Sequence, residues 1–315
     1  MIINPDFSQI LQAAERIKPY AHRTPVLTSE SLNRLTEARV MMKCENLQKV
    51  GAFKFRGATN AVFALSESEA ARGVATHSSG NHAQALALAA RLRGIPAYIV
   101  MPDNAPTVKK AAVRDYGGRI TYCEPNQAAR KTTLNRILKE TGATFVHPYD
   151  HALVIAGQGT AALELLEDHP DLGVIIAPIG GGGLLSGTAL AANGISPGVR
   201  VIGAEPEMAD DAYRSMQQGS IVPSLNPQTI ADGLLTSLGE LTFLLIRDYI
   251  EQIVTVSEQS IVEAMRFIWE RTKLIIEPSA AVPIGLLFAK KINLSGLKVG
   301  VIISGGNVDL DRLPW

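Results

Sequence analysis

The sequence is short of cysteine, of net charge and of long apolar runs. Its cysteines are Cys44 and Cys123, and its 30 Lys and Arg residues balance its 30 Asp and Glu residues. Two cysteines are too few for a disulfide scaffold, and the N-terminus lacks a signal-peptide core, so we expect a cytoplasmic protein. A neutral chain offers no basic surface for nucleic acid, and no apolar run approaches the roughly 20 residues that span a membrane. These absences argue against nucleic-acid and membrane partners and favour a small molecule.

Hydrophobic residues make up 46% of the 315 residues, and this length suggests roughly two domains. From residue 73 onward, short β-rich runs alternate with helical stretches, first between "GVATHSS" and "NQAARKTTLNRILKETG" and then between "VIIAPIG" and "KVGVIISGGN". This alternation predicts parallel α/β architecture, and the nearly continuous apolar runs indicate strands covered on both faces. We therefore predict two closely packed α/β units, with a long helix near 257–273.

The stretch "VGAFKFRGA" places Lys54 between Phe53 and Phe55. A strand that alternates between an apolar and a wet face would carry an ordinary exposed lysine here. A lysine held in an apolar setting fits equally well, because its charged form is then disfavoured and a nucleophilic amine becomes available for Schiff-base chemistry. The stretch alone leaves both interpretations open.

The segment "VIIAPIGGGGLLSGTAL" has the pattern of a buried strand, a glycine run and a helix. Glycine N–H groups and the positive end of a helix dipole favour a bound phosphate, whereas a tight turn needs only one or two glycines. The predicted phosphate loop consists of Gly180, Gly181, Gly182 and Gly183.

A second glycine pattern, "GQGTAA" at 157–162, matches a variant of the dinucleotide fingerprint and makes a nicotinamide-dependent dehydrogenase a rival interpretation. Its context is poor, because the position about 20 residues later, where an acidic residue should bind the ribose, falls in "IAPIG". The four-glycine loop also lacks the Lys and Ser/Thr pair of a nucleoside-triphosphate loop. A small monophosphate cofactor fits better.

Polar side chains follow two other predicted strands. In "HSSGNHAQ", Ser78, Asn81 and His82 could bind a carboxylate at a helix start, although helix capping explains such residues too. In "VIISGGN", Ser304 follows the last predicted strand. Because parallel sheets bind ligands beyond the carboxyl ends of their strands, we expect these loops and the glycine loop to converge on one site.

The segment "GAEPEMADDAY" carries a possible cation site. The carboxylates of Glu205 and Asp211 and the carbonyl group of Ala209 are spaced so that they could ligate a hard, oxygen-preferring cation. Acidic residues at a helix start also stabilise the helix dipole, so the spacing leaves both interpretations open.

Taken together, eight motifs resemble the serine racemase and threonine/serine dehydratase family of pyridoxal-phosphate enzymes, of the tryptophan-synthase-β fold type. They run in order through most of the chain: "GAFKFRGA", "SSGNHAQALA", "VIAGQGT", "PIGGGGLLSG", "GAEPEMADD", "ADGL", "IIEPSAA" and "IISGGNVDL". The resemblance implies fold type II, with two parallel-sheet α/β domains. A large cofactor-binding domain would comprise residues 1–72 and 150–315, and a small mobile domain residues 73–149. A homodimer is expected.

The resemblance also implies pyridoxal 5'-phosphate as the cofactor and assigns roles around it. Lys54 would bind the cofactor as a Schiff base and then act as a general base, Phe53 would pack on the pyridine face, and the four glycines would hold the phosphate. Asn81 would bond the pyridine hydroxyl and Ser304 the ring nitrogen. Three residues would bind the substrate carboxylate: Ser78, Asn81 and His82.

The implied reaction is the α,β-elimination of a β-hydroxy amino acid, such as L-serine or L-threonine, to a 2-keto acid and ammonia. Because a serine hydroxyl does not enforce a protonated pyridine, elimination is favoured over transamination. By the same resemblance Ser79 stands on the opposite face of the ring from Lys54 and could protonate the substrate carbanion there, as racemisation requires.

Two features bear on the branch within the family. Ser79 and the set Glu205, Ala209 and Asp211 resemble the metal-activated, racemase-like branch, for which Mg²⁺, Ca²⁺ or Mn²⁺ is expected. The segment "HPYDHALV" around Tyr149 looks more like a dehydratase. Serine racemase and 3-hydroxyaspartate dehydratase therefore stay open as alternatives.

Overall fold

A computed structural model of the protein describes residues 5–105 and 107–315. These residues form two β-sheets that are parallel except at one edge, with helices packed on them, which confirms the predicted α/β class. Across the same residues, we find no helix with the length and apolar character needed to cross a membrane.

The described residues form ten strands. In chain order they are β1 (Val26–Leu27), β2 (Arg39–Cys44), β3 (Val74–His77), β4 (Ala97–Pro102), β5 (Arg119–Cys123), β6 (Thr144–Phe145), β7 (Val174–Pro178), β8 (Arg200–Pro206), β9 (Gln252–Val256) and β10 (Lys298–Ile303). The larger sheet has the order β1-β2-β10-β7-β8-β9, with β1 antiparallel to β2 and the other pairs parallel. The smaller sheet is parallel throughout, in the order β5-β4-β3-β6.

Helices connect and cover these strands. In chain order they are α1 (Phe7–Ile17), α2 (Glu30–Thr36), α3 (Lys54–Phe63), α4 (Glu67–Ala70), α5 (Asn81–Arg93), α6 (Thr107–Asp115), α7 (Gln127–Thr141), α8 (Ala152–Asp168), α9 (Gly183–Ile195), α10 (Asp211–Gln218), α11 (Glu240–Tyr249), α12 (Glu258–Thr272) and α13 (Pro278–Ala289). The helix predicted near 257–273 is α12, whose N-cap Ser257 accepts a hydrogen bond from the backbone N–H of Ser260. Gly142 follows α7 as its C-cap and adopts the left-handed conformation that glycine allows without strain.

Two apolar cores cover the two faces of the larger sheet. Ile176 and Val301 belong to the core beneath α12 and α13, whereas their chain neighbours Ile175 and Ile302 belong to the core beneath α8 and α9. Full burial of one such side chain stabilises the fold by about 1.5–3 kcal/mol. Because β7 and β10 are buried on both faces, their sequences are the continuous apolar runs that predicted a parallel sheet.

The structure overturns the dinucleotide interpretation of "GQGTAA". Residues 157–162 lie inside α8 and are buried, whereas that fingerprint requires a turn between a strand and a helix. A Cβ atom on Gly157 would lie 2.6 Å from the Cα atom of Gly57, and one on Gly159 would lie 2.7 Å from the carbonyl oxygen of Gly187. These glycines therefore allow α8 to pack closely against α3 and α9.

All four strands of the smaller sheet lie between Val74 and Phe145, inside the range 73–149 predicted for a small domain. An ion pair joins this part of the chain to the rest, since Lys109 Nζ lies 2.5 Å from Asp232 Oδ2. The exact boundaries and the mobility of this unit stay predictions.

Candidate active site

The predicted site residues lie at the carboxyl ends of strands. The four glycines follow β7 and Ser304 follows β10, and these two strands are neighbours in the larger sheet. The backbone N–H of Phe53 donates to the carbonyl oxygen of Ser304 at 3.0 Å, which places the start of α3 beside the same edge. The structure thus brings together loops that are distant in sequence.

Lys54 is the first residue of α3, so the interpretation as an exposed lysine on a strand is wrong. Its Nζ donates to the carbonyl oxygen of Pro148 at 2.8 Å and lies 5.1 Å from the ring centroid of Phe53. Burial lowers the pKa of Lys54 to about 8, and the charge of Glu277 acts weakly in the opposite direction. A substantial fraction of the amine is therefore unprotonated and nucleophilic at pH values slightly above neutral.

The glycine loop is buried and is enclosed by neighbouring residues. Gly182 alone of the four has a positive φ, 88°, and it is the N-cap of α9. Added Cβ atoms would meet the Cα atom of Leu234 at 2.8 Å from Gly180 and the ring of Tyr149 at 2.4 Å from Gly181. Glycine is thus required in this loop by close packing as well as by the backbone conformation. The loop also leaves backbone N–H groups at a helix start, where an anion is stabilised.

The "SSGN" turn precedes α5, and Asn81 is the first residue of that helix. Ser78 Oγ accepts a hydrogen bond from the backbone N–H of Gly80 at 3.3 Å, and the N-cap Gly80 supplies no side-chain cap. Ser79 is partly exposed in the same turn. The first N–H groups of a helix lack partners within it, so this turn offers donors to a ligand.

The side chain of His82 lies in the protein interior. Its side chain is 2% exposed, and Nε2 lies 3.2 Å from the carbonyl oxygen of Val146. Because a carbonyl oxygen only accepts, Nε2 carries the proton, and burial holds the pKa of His82 well below its usual range. The remaining Nδ1 is then an acceptor, so only the backbone N–H of this residue is suited to a carboxylate.

Sequence reasoning missed Glu277. It lies within the "IIEPSAA" motif, is 4% exposed, and accepts hydrogen bonds from Asn81 Nδ2 at 2.9 and 3.2 Å. Burial and then the negative charge of Asp232 raise the pKa of Glu277 to about 7. The available signal was an acidic residue directly before the proline at a helix start, a pattern that ordinary helix capping also explains.

A buried ionic network lies close to Lys54 in the chain. Arg56 binds Glu45 through Nε at 2.7 Å and Glu164 through Nη1 at 2.7 Å, and Lys43 Nζ lies 2.5 Å from the second oxygen of Glu164. The two cations and two anions give this network no net charge. The side chains of Arg56, Glu45 and Lys43 are fully buried. This network anchors the first turn of α3, which carries Lys54.

The comparisons with known proteins agree with this geometry. The family model described as "Pyridoxal-phosphate dependent enzyme" matches residues 17–305. The chain belongs to this family. The expected family resemblance and fold are thereby confirmed.

Two relatives and one solved structure show how similar the chain is to other proteins of the family. The chain is 53% identical to the β-hydroxyaspartate dehydratase of Paracoccus denitrificans over 311 residues, which is 99% of each chain. It is 49% identical to the serine racemase of Arabidopsis thaliana over 313 residues, covering 98% of this chain and 95% of the relative. The solved structure of maize serine racemase superposes with a TM-score of 0.96 at 45% identity, covering 98% of this chain and 95% of the other.

The residues present fit pyridoxal phosphate, the cofactor that this family requires. A partly buried amine with a lowered pKa suits a Schiff-base lysine, and a glycine loop at a helix start suits a phosphate. Ser304 is 3% exposed and directly follows β10, so a polar hydroxyl is available at the end of an apolar strand. The positions thus offer an anchor at each end of the cofactor.

The predicted cation residues also lie close together in the chain, at the end of β8 and the start of α10. Glu205 accepts from the backbone N–H groups of Ala212 and Tyr213 at 2.8 and 2.7 Å, whereas both carboxylate oxygens of Asp211 are buried with no partner among the described residues. Burial raises the pKa of Glu205 to about 8 and that of Asp211 to about 6. Buried carboxylates that form no ion pair among the described residues fit a divalent cation.

This set has few side-chain ligands. Within residues 5–105 and 107–315, no group of three or more His, Cys, Asp or Glu side chains is placed to hold a metal ion. A cation here would need a carbonyl oxygen such as that of the buried Ala209, with water completing the shell.

Proposed function

We propose that the protein uses pyridoxal phosphate to eliminate water from a β-hydroxy amino acid such as L-serine or L-threonine, giving a 2-keto acid and ammonia. The observation that carries this proposal is the partly buried amine of Lys54. Its pKa is about 8, and among the described residues no carboxylate lies within ion-pair distance of it. A lysine left without an ion partner next to an anion-binding loop serves catalysis better than stability.

Four groups would hold the cofactor. Lys54 would bind it covalently, the glycine loop its phosphate, Asn81 its hydroxyl group and Ser304 its ring nitrogen, with Phe53 against its ring. Bound in this way, pyridoxal phosphate would supply a sink for the electron pair left on the substrate Cα atom when that carbon loses its proton.

Lys54 would take that proton. Substrate binding would displace the amine of Lys54 from the cofactor, and the free amine would then act as a general base at the substrate Cα atom. The carbonyl oxygen of Pro148, 2.8 Å from Nζ, accepts a hydrogen bond from the amine and orients it. The substrate β-hydroxyl would leave as water by taking up the proton that Lys54 removed from the Cα atom.

The "SSGN" turn would bind the substrate carboxylate. Ser78 and the backbone N–H groups of Asn81 and His82 would supply donors at the start of α5, where the helix dipole favours an anion. Movement of the predicted small domain over the substrate would exclude water during the reaction.

Two alternatives are favoured by specific observations. The 53% identical relative is named a β-hydroxyaspartate dehydratase, which supports 3-hydroxyaspartate as a substrate. Relatives named serine racemase support a racemase activity, for which Ser79 would donate a proton to the face opposite Lys54. Elimination and racemisation share the first proton removal, so one site can perform both.

We further propose that Glu205, Asp211 and the Ala209 carbonyl bind Mg²⁺, with Ca²⁺ or Mn²⁺ as alternatives. The two unpartnered oxygens of Asp211 and the raised pKa values of both carboxyl groups support it. A divalent cation would remove the cost of burying these two acids.

A cytoplasmic homodimer completes the proposal. Cys44 and Cys123 are free thiols, as a reducing compartment allows. Sedimentation equilibrium measures the oligomeric state directly.

The decisive experiment combines a spectrum with a product assay. The purified protein should show the visible band of covalently bound pyridoxal phosphate, and borohydride should bleach it and leave the cofactor on Lys54. L-Serine, L-threonine and 3-hydroxyaspartate are then compared for keto-acid release and by chiral chromatography. A colourless protein that gains no band with added cofactor would refute the proposal, and the relative rates distinguish the three substrates.

A further inference from the structure

The carboxylate of Glu277 lies where a helix cap is expected but does not cap the helix. Glu277 is the N-cap residue of α13 and makes no side-chain bond to the first turn of that helix. The carboxylate turns instead to Asn81 and to the backbone N–H of Asn307, which donates to Oε2 at 3.2 Å. The carboxylate therefore makes its contacts inside the candidate site and not with the backbone of its own helix.

The hydrogen bonds among these side chains determine how the amide of Asn81 is oriented. Asn307 Nδ2 lies 2.7 Å from the carbonyl oxygen of Val50, which only accepts, and the same Nδ2 donates to Asn81 Oδ1 at 2.9 Å. The oxygen of Asn81 therefore faces Asn307, and its Nδ2 faces Glu277. One N–H of this amide is used by Glu277, and the second is left for a ligand.

The backbone makes room for this arrangement. A Cβ atom on Gly305 would lie 2.6 Å from Glu277 Oε1, so the glycine after Ser304 admits the carboxylate. The charged groups that face Glu277 are Lys54, Asp232 and Lys109. Both oxygens of Glu277 accept N–H donors, which suits the ionised form.

We propose that Glu277, with Asn307, is a positioning residue that fixes the amide of Asn81 so that it offers an N–H donor to the cofactor. The group that Asn81 contacts must then be an acceptor, such as the ionised hydroxyl oxygen of pyridoxal phosphate. This inference rests on the proposed function, because it deepens the role of Asn81 at the same site.

The substitution Glu277→Gln tests the inference with little change in volume. The N–H of Asn307 requires an acceptor at the Oε2 position, so the new amide nitrogen takes the Oε1 position and opposes the Nδ2 group of Asn81. Two donors then face each other across the shorter contact, and Asn81 either keeps only the longer 3.2 Å contact to the remaining oxygen or turns its own oxygen toward the cofactor. Hydrogen bonds to charged groups contribute about 1.5–3 kcal/mol, so we expect roughly tenfold to hundredfold weaker retention of pyridoxal phosphate.

The readouts are equilibrium dialysis of the holoenzyme against pyridoxal phosphate and its visible absorption spectrum at a fixed pH. We expect Glu277→Gln to move the absorption toward the ultraviolet, because the ionised hydroxyl loses its donor. Gly305→Ala, which adds no polar group, should change both readouts in the same direction by displacing the carboxylate.

Glu45→Gln is the matched control, because Glu45 is equally buried but binds Arg56 instead of Asn81. It should lower the melting temperature and leave the absorption maximum unchanged. Native retention and a native spectrum in Glu277→Gln would overturn the inference, as would an equal spectral change in Glu45→Gln. A native protein that binds no pyridoxal phosphate would instead overturn the proposed function.

Discussion

Lys43 is buried and Lys54 is partly buried, and the two lysines have opposite surroundings. Lys43 is fully buried, and its ammonium group lies 2.5 Å from Glu164 and 2.8 Å from the carbonyl oxygen of Thr24. Lys54 has the Pro148 carbonyl oxygen as its hydrogen-bond partner, and Glu277 affects it only at longer range. Burial lowers the pKa of both, but only Lys43 has an anion in direct contact. The comparison teaches that a buried charge with a partner serves the fold, and one without a partner is available for chemistry.

Removing Lys54 should produce the largest effect. We expect Lys54→Ala to lower turnover at least about 10³-fold, since the general base alone contributes 10²–10⁴ and covalent binding of the cofactor is lost as well. The variant should fold with a melting temperature at or above that of the apoprotein, because a buried unpaired amine is gone. Keto-acid release, the visible band and calorimetry measure these outcomes, and normal turnover with a normal band would remove Lys54 from the mechanism.

The substitution Ser79→Ala tests whether Ser79 acts as a second acid/base group beside Lys54. Lys54 serves one face of the substrate Cα atom, so inversion needs a second acid, whereas elimination does not. We expect racemisation of L-serine to fall by 10²–10⁴ and elimination from L-serine to fall much less. Chiral chromatography and pyruvate release are followed in the same reaction. Equal losses would show that Ser79 positions the substrate, and no D-serine from the native protein would leave a dehydratase.

The substitution Lys43→Met should act on stability instead. Breaking a buried ion pair typically costs 3–5 kcal/mol, and because Glu164 keeps Arg56 as a partner we expect about 3 kcal/mol. Urea unfolding of Lys43→Met and Lys54→Met, two identical changes of residue type, measures the contrast. The comparison fails if Lys54→Met is destabilised as much as Lys43→Met.

Chelation tests the carboxylates that lack a countercharge. EDTA should lower the melting temperature and activity, and Mg²⁺ or Ca²⁺ should restore both, with about 2.7 kcal/mol of stabilisation at a hundredfold excess over the dissociation constant. Asp211→Asn should lose this response while remaining folded. A melting temperature that does not respond to chelation would show that Glu205 and Asp211 serve the helix start instead.

The pH dependence of cofactor uptake gives the smallest effect. Only the unprotonated amine attacks the cofactor aldehyde, and burial lowers the pKa of Lys54 to about 8. Uptake by the apoprotein should therefore rise about tenfold per pH unit below pH 8 and level off above it. Stopped-flow absorbance measures the rate, and a midpoint near the usual lysine value would contradict the assigned environment.

The sequence predicted those parts of the site that local patterns determine. The glycine loop, the "SSGN" turn and Ser304 each follow a strand, and strand ends are visible in the alternation of apolar and helical segments. The strand interpretation of Lys54 failed because Phe53 and Phe55 lie at the start of a helix. Their alternation with Lys54 therefore does not reflect the two faces of a strand. Local pattern also could not show that "GQGTAA" lies within α8, since small residues serve helix packing and turns alike.

Contacts between distant residues lay beyond such patterns. The hydrogen bond from Asn81 to Glu277 joins residues 196 positions apart, and the one from Lys43 to Glu164 joins residues 121 positions apart. No local sequence pattern identifies which distant residue each of these side chains contacts. The burial of the His82 side chain likewise follows from β6 and the segment after it, not from the residues around it. Tertiary packing decided each of these points.

The position of β10 governs the order in which the protein can be completed during synthesis. This last strand pairs with β2 on one side and β7 on the other, so it fills the middle of the larger sheet. A chain still attached to the ribosome therefore exposes two unpaired strand edges, while every strand of the smaller sheet has already been made. Because Ser304 and Asn307 follow β10, the candidate site stays incomplete until β10 has entered the sheet.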